Sequence, residues 1–245
     1  MNTLRRHCQV WRVLLHAALW VLAVHSAAAV AAGEYADALR LAGNSKFAEA
    51  YALLLPLAER GERKAQYIVG ESLYWGTGVT QDRQAAFKWY RKAADAGLPE
   101  AKFNLAHAYK NGAGVAPNRA RFEPLVRAAA DAGYDKAQHD YSVLLRERKD
   151  YKLALKWALR AANQGMVGAQ VNAGHMYRLG YGASLDDEEA LFWLGIAGPN
   201  YKPADQFARQ LAQKLGPVRT DLVIERMAAW KPVHELAPIT SLERQ

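Results

Sequence analysis

Alanine returns along this chain at a nearly fixed interval. Ala65, Ala101, Ala137, Ala169 and Ala204 each open a similar stretch, at intervals of 36, 36, 32 and 35 residues. A unit that short cannot bury an apolar face alone, so it must stack on copies of itself, which dictates a repeat array rather than one globular core. The internal offsets hold as well. Gly76 and Gly78, eleven and thirteen residues after the opening alanine, recur as Gly112 and Gly114 and as Gly180 and Gly182. Trp89 recurs as Leu125, Trp157 and Trp193, with Ala86, Ala154 and Ala190 three residues before. The unit at Ala137 lacks the glycine turn, which accounts for its shorter interval.

Each unit reads as two short helices. Ala65, Val69 and Leu73, or Ala101, Leu105 and Tyr109, follow the helical period of the first. The glycines permit left-handed backbone in the turn, and Asp82, Asn118 and Asp186 are placed to cap the second helix. That helix carries the Trp and a small-residue stripe (Ala93, Ala94), and Gly97, Gly133 and Gly165 end it. Weaker capping hairpins are expected at 34–60 and 204–230, giving about six antiparallel hairpins over 32–230. Pro56 predicts a kink in one helix, and Pro124 a delayed start of another. The tail 231–245, with Pro232 and Pro238, is expected to be irregular.

Residues 1–31 read as a secretory signal peptide. Arg5, Arg6 and Arg12 precede an apolar stretch from Val13 to Val24, and small residues follow, with Ala29-Val30-Ala31 the preferred cleavage site and Ala27-Ala28-Ala29 its neighbour. A retained anchor is the other reading of this segment. The address is a bacterial periplasm or secretion, with no stable membrane span after cleavage. Cys8, the one cysteine in 245 residues, leaves with this segment, so disulfide scaffolds and cysteine-rich zinc modules are excluded. The net charge of +8 falls to +5, because the segment holds three arginines and no acid.

The run from Ala65 to Gly97, A-Q-x-x-x-G-x-x-Y-x-G-x-G-V-x-x-D-x-x-x-A-x-x-W-Y-x-K-A-A-x-x-G, resembles the Sel-one-like repeat, a relative of the tetratricopeptide repeat. The resemblance spans about 34–230. It implies an all-α fold, a right-handed α/α solenoid whose members act as adaptors or scaffolds. Some secreted, cysteine-rich relatives bind or slowly hydrolyse β-lactams, but they carry a disulfide in each repeat and this chain has none to offer.

Other chemistry finds little footing in the residues. A phosphate loop needs a strand before its glycines, and here a helix precedes them. Asp186-Asp187-Glu188-Glu189 falls where a helix begins, where carboxylates oppose the positive end of the helix dipole. His107 and His175 share one repeat offset but stand two units apart, about 20 Å at a helix spacing of about 10 Å, too far to share a zinc ion. No G-x-S-x-G occurs, and Ser142 falls at a small-residue packing position. Neither catalytic residues nor a cofactor or metal is therefore expected.

By analogy with tetratricopeptide repeats, the first helices line a concave groove. The groove positions of the first two units hold Tyr67, Glu71, Tyr74 and Trp75, then Phe103, His107 and Lys110. The next two contribute His139 and Arg146, then His175 and Arg178. Aromatics beside cations suit a peptide hot spot or a sugar platform, although Tyr67 and Phe103 also suit packing between helices, and Tyr74 and Trp75 suit packing and binding equally. Lys110, Arg146 and Arg178 form a basic rail that fits an acidic peptide, a carboxylate terminus or an anionic polysaccharide. Nucleic acid is disfavoured by the modest charge and the export signal. The expectation is a non-catalytic scaffold that holds a partner-protein segment, with a cell-wall-ligand-binding or weakly β-lactam-hydrolysing protein as the alternative.

Overall fold

The computed structural model describes residues 32–235, so the expected signal peptide and most of the tail lie outside the described residues. Every regular element among those residues is helical. Two compact units divide the chain between Ala86 and Phe87. The first holds α1 (32–43), α2 (Phe47–Glu59), α3 (Arg63–Trp75) and the opening residues of α4 (Arg83–Asp95). The second continues α4 and adds α5 (Pro99–Asn111), α6 (Phe122–Asp131), α7 (Asp135–Glu147) and α8 (Tyr151–Asn163). It ends with α9 (Val167–Leu179), α10 (Asp187–Ala197), α11 (Lys202–Leu215) and α12 (Pro217–Ala229). Helices adjacent in sequence pack on one another from α5 through α12, which is the local rule of an α/α solenoid.

The recurring sequence becomes recurring geometry. Gly76, Gly112 and Gly180 cap α3, α5 and α9 in the left-handed conformation, with φ of 74°, 72° and 69°. After each turn one amide returns to the first helix: Asp82 to the carbonyl of Leu73 (2.8 Å), Asn118 to Tyr109 (2.7 Å) and Asp186 to Tyr177 (3.1 Å). The glutamine after the opening alanine also repeats. Gln66, Gln138 and Gln170 are buried, and each donates its side-chain amide to a carbonyl eight residues earlier, on Ala58, Ala130 and Ala162. These bonds tie the first helix of a unit to the second helix of the preceding one. An amide that donates inside the stack avoids the desolvation cost of a buried polar group, and the required geometry holds helix spacing constant.

Small residues set the approach distance within a hairpin. Ala106, Ser142 and Gly174 occupy the fifth position after the opening alanine and are buried in the second unit. A Cβ added at Gly174 would stand 2.6 Å from Cγ of Leu194, a residue of α10 with no exposed surface. Ser142 instead turns its hydroxyl to the carbonyl of Ala154, at 2.9 Å. Trp157 and Trp193 are buried in the core of this unit, whereas Trp89 is half-buried beneath Lys92, whose Nζ lies 4.0 Å from the ring centre.

Two sequence expectations change. Asp82 and Asp186 cap their helices with the side chain, but Asn118 does not; a 3-10 turn at Arg119–Arg121 intervenes and α6 begins at Phe122. Pro124 thus sits in the first turn of α6, where the missing N–H costs nothing. Pro56 lies inside α2 and forfeits a single bond near the end of that helix, which runs on to Glu59. The acidic run does more than oppose a dipole: Lys214 pairs with Asp187 (2.5 Å), Arg219 with Glu188 (2.5 Å) and Arg226 with Glu189 (2.5 Å). Its carboxylates anchor α11 and α12 to the start of α10. Among the described residues no helix is long and apolar enough to cross a membrane.

Candidate functional site

The expected groove residues divide between the two units. In the first, Tyr67 is buried at 5% exposure and belongs to helix packing. Glu71 and Tyr74 are half-buried, and Trp75 stands out at 67% exposure. Tyr74 and Trp75 meet edge to face at 4.8 Å, and Arg83 lies over the Tyr74 ring at 5.4 Å. Gln81 donates to the Tyr74 carbonyl at 2.7 Å. These contacts hold an exposed indole at the end of α3, where the glycine turn stops the helix.

The other seven lie in the second unit, on α5, α7 and α9. Phe103 packs against Tyr134 (ring centres 5.3 Å apart) and His107 (4.4 Å). His107 reaches the next first helix, with Nε2 2.9 Å from the Asp140 carboxylate. Lys110 lies exposed with its ammonium 4.6 Å from the centre of the Phe122 ring. Beside it a cleft of about 400 Å³ opens between α5, α6 and α7, lined by Lys110, Phe122, Asp140, Val143 and Glu147 among others.

Arg146 and Arg178 are held differently from the ion-paired arginines among the described residues. Arg146 donates to Oδ1 of Asn172 at 2.7 Å, and Asn172 in turn donates to the Ser142 hydroxyl at 3.1 Å. A relay thus runs from Arg146 inward to the carbonyl of Ala154 and fixes the guanidinium without neutralising it. Arg178 stacks over Phe207 at 4.9 Å, beside His175, which meets the same ring edge to face at 5.0 Å. Elsewhere Arg148 pairs with Glu123, Arg219 with Glu188 and Arg226 with Glu189. Among the described residues no carboxylate pairs with Lys110, Arg146 or Arg178.

Two histidines register this uncompensated charge. Burial pushes the His139 imidazole below its ordinary 6.5; Asp140 pulls it up and Arg146 pushes it further down. Burial also lowers His175, reinforced by Arg178 and Arg146. Both Nδ1 atoms are buried without a partner, as is Nε of Arg178. Both rings therefore take up a proton less readily in the fold than in the unfolded chain. The unfolded state binds more protons below 6.5, so stability is complete above that pH and is lost as pH falls toward the lowered folded values. We expect denaturant midpoints to drop between pH 7.5 and pH 5.5, and a His139→Asn, His175→Asn variant to lose most of that slope. An unchanged slope would remove these rings as its source.

Sequence reasoning overlooked the third position after the opening alanine. Asp140, Asn172 and Phe207 all stand there, and each meets an expected groove residue of the preceding repeat: His107, Arg146 and Arg178. The signal was present, because this position lies three residues before the sixth-position residues Val143, His175 and Gln210 on the same helix face. It was hidden because the partners are chemically unlike: a carboxylate, an amide and a phenyl ring.

The Sel1 repeat profile matches residues 63–98, 99–121, 136–166 and 167–198. Its second match stops at the 3-10 turn before α6, where Leu125 replaces the tryptophan and Pro124 enters the helix. A solved Sel1 repeat protein from Oxalobacter formigenes is similar over 68% of this chain and 49% of its own, with 30% identity and a TM-score of 0.65. The protective antigen c5321 of uropathogenic Escherichia coli, which displays an SLR fold, is 24% identical over 79% of this chain and 52% of its own, with a TM-score of 0.50. Immunity protein Pa5087 from Pseudomonas aeruginosa is 20% identical, covers 81% of this chain and 83% of its own, and has a TM-score of 0.50. The chain spans about half the length of the first two, and the last two bear on the fold alone. Sel1 repeats are generally non-catalytic protein-interaction scaffolds. With four repeats matched in sequence and the helical hairpins stacked in order, the chain belongs to the Sel1 repeat family.

Proposed function

We propose that this protein is a non-catalytic scaffold, exported to the periplasm or beyond, that holds an acidic segment of a partner protein along the first helices of its second unit. One observation carries the reading: Arg146 and Arg178 are positioned by an amide and a phenyl ring rather than by carboxylates. A guanidinium held in that way keeps its charge available, and a carboxylate from a partner would meet donors already oriented. The same charge would raise the cost of protonating His139 and His175, so an anionic ligand relieves an unfavourable field as well as filling a groove. Export rests on the basic, apolar and small-residue order of residues 1–31.

The test uses a fluorescein-labelled hexaglutamate peptide, read by anisotropy at low salt. Wild-type protein is expected to bind it, and a Lys110→Glu, Arg146→Glu, Arg178→Glu variant to bind at least tenfold more weakly, at about a factor of ten for each 1.4 kcal/mol lost. Equal binding by the two proteins would reject the groove. Displacement by polygalacturonate but not by unlabelled peptide would reassign the ligand to an anionic polysaccharide. Turnover of a chromogenic β-lactam by wild-type protein would overturn the non-catalytic part of the reading.

A further inference from the structure

The described part of the tail is irregular, but it is not loose. Val233 donates its amide to the carbonyl of Asn163 at 2.8 Å, at the end of α8. Pro232 lies against Gly165, where an added Cβ would stand 3.3 Å from the proline ring. Glu235 is gripped twice. Its amide donates to Oε1 of Gln164 at 2.9 Å, and its carboxylate accepts from Nε and Nη2 of Arg160 (3.2 and 2.6 Å) and from Nε2 of Gln138 (3.1 Å).

The receptor for this segment is prepared from within. Gln138 has no exposed surface and Gln164 only 5%. Gln164 donates to the carbonyl of Gly133 (3.0 Å) and to Oε1 of Gln138 (2.9 Å). Those bonds leave Oε1 of Gln164 to accept an amide and Nε2 of Gln138 to offer a donor. Arg160 is stiffened by stacking over Trp157, at 4.6 Å. The arginine has a counterpart in the repeat, since Lys92 lies over Trp89 in the same way. Gln164 has none: the residue before the terminating glycine is Ala96 in one unit and Ala132 in another. The repeat's own packing needs only alanine there, so the glutamine has a separate task.

We propose that the turn between α8 and α9, with Arg160, Gln164 and Gln138, is a second recognition site for an extended peptide segment carrying a proline and, three residues later, a glutamate, and that residues 232–235 occupy it in cis. The site reads backbone amides at two alternate residues and a side-chain carboxylate, which is how an extended strand is recognised. Pro232 restricts the segment toward the extended conformation it needs. The cis occupant is held by two backbone hydrogen bonds, one hydrogen bond from Gln138, and one ion pair whose members keep about a third of their side-chain surface in water, at 35% and 33%. Against them stands the ordering of the whole segment, so the tail can be exchanged for a matching segment of a partner protein. This site is independent of the groove and stands or falls apart from it.

The test is competition in the full-length protein. A Val233→Pro, Glu235→Lys variant removes the Asn163 bond and repels Arg160 while changing only surface residues. The probe is a labelled, end-blocked peptide with the sequence of residues 230–235, Trp-Lys-Pro-Val-His-Glu. A tethered segment competes at an effective concentration of about a millimolar, so the released variant is expected to bind the probe at least tenfold more tightly than wild type. Adding Arg160→Ala or Gln164→Ala to the released variant should abolish binding; Gln164→Ala also removes the buried bonds to Gly133 and Gln138, so its folding is checked by circular dichroism, while Arg160→Ala alters only a partly exposed side chain. A probe in which glutamine replaces the glutamate should fail to bind. The proposal is overturned if wild-type and released proteins bind equally, if neither binds at millimolar probe, or if Arg160→Ala and Gln164→Ala leave binding unchanged. The hexaglutamate result in the groove is unaffected by any of these outcomes.

Discussion

Gly182→Val is expected to lower the thermal unfolding midpoint by roughly 10 °C, from a loss of about 3–5 kcal/mol. Two independent costs combine there. Gly182 has φ of +85°, which a β-branched residue resists, and its added Cβ would fall 2.2 Å from the Tyr151 carbonyl oxygen. That oxygen belongs to the first residue of α8, and it cannot swing away cheaply because the Tyr151 ring is stacked on Tyr181 at 4.4 Å. Gly180→Ala supplies the control. Its φ is also positive, at +69°, but its nearest neighbour to an added Cβ is the Leu185 amide at 3.6 Å, so only the backbone cost of about 1 kcal/mol applies. Differential scanning calorimetry of the two variants separates conformation from contact. Equal losses would mean that the second glycine of the turn is kept for its backbone alone.

The second large effect concerns the spacing inside a hairpin. Leu194→Ala is expected to cost about 3 kcal/mol, the usual range for a fully buried leucine. Gly174→Ala should cost about 2 kcal/mol, because the clash with Leu194 outweighs the gain in helix propensity. Combined, the two should cost clearly less than their sum, since the methyl group of one fills space vacated by the other. A coupling energy of about 1–2 kcal/mol in a denaturant double-mutant cycle would show that the two positions set the α9–α10 distance jointly. Strict additivity would show that the helices adjust independently.

Much of the fold was legible because its information is local. Glycine at fixed offsets, an aspartate at a helix start and small residues every turn act within a few residues of their own position, and the structure reproduces them in Gly76, Asp82 and Ser142. Asn118 departed from the pattern because its neighbours, not its side chain, determined where α6 begins. The candidate site was legible only in outline. The offsets placed Arg146 and Arg178 on the first helices, but not what holds them, because Asn172 and Phe207 arrive from the next unit. Tyr67 illustrates the converse: its offset suited a groove, yet the packing around α3 buried it.

By itself the sequence determined the repeat, the helical hairpin, its turn chemistry and the sign of the charge along one helix face. These follow from periodicity and residue type, which any copy of the unit carries with it. Only the tertiary structure decided which charges are free. The acidic run is consumed by Lys214, Arg219 and Arg226, and Glu235 is consumed by Arg160, while Arg146 and Arg178 meet no carboxylate among the described residues. A charge becomes a binding feature when its neighbours orient it without neutralising it. Which neighbours it has depends on the stacking of one repeat against the next, and no single repeat contains that information.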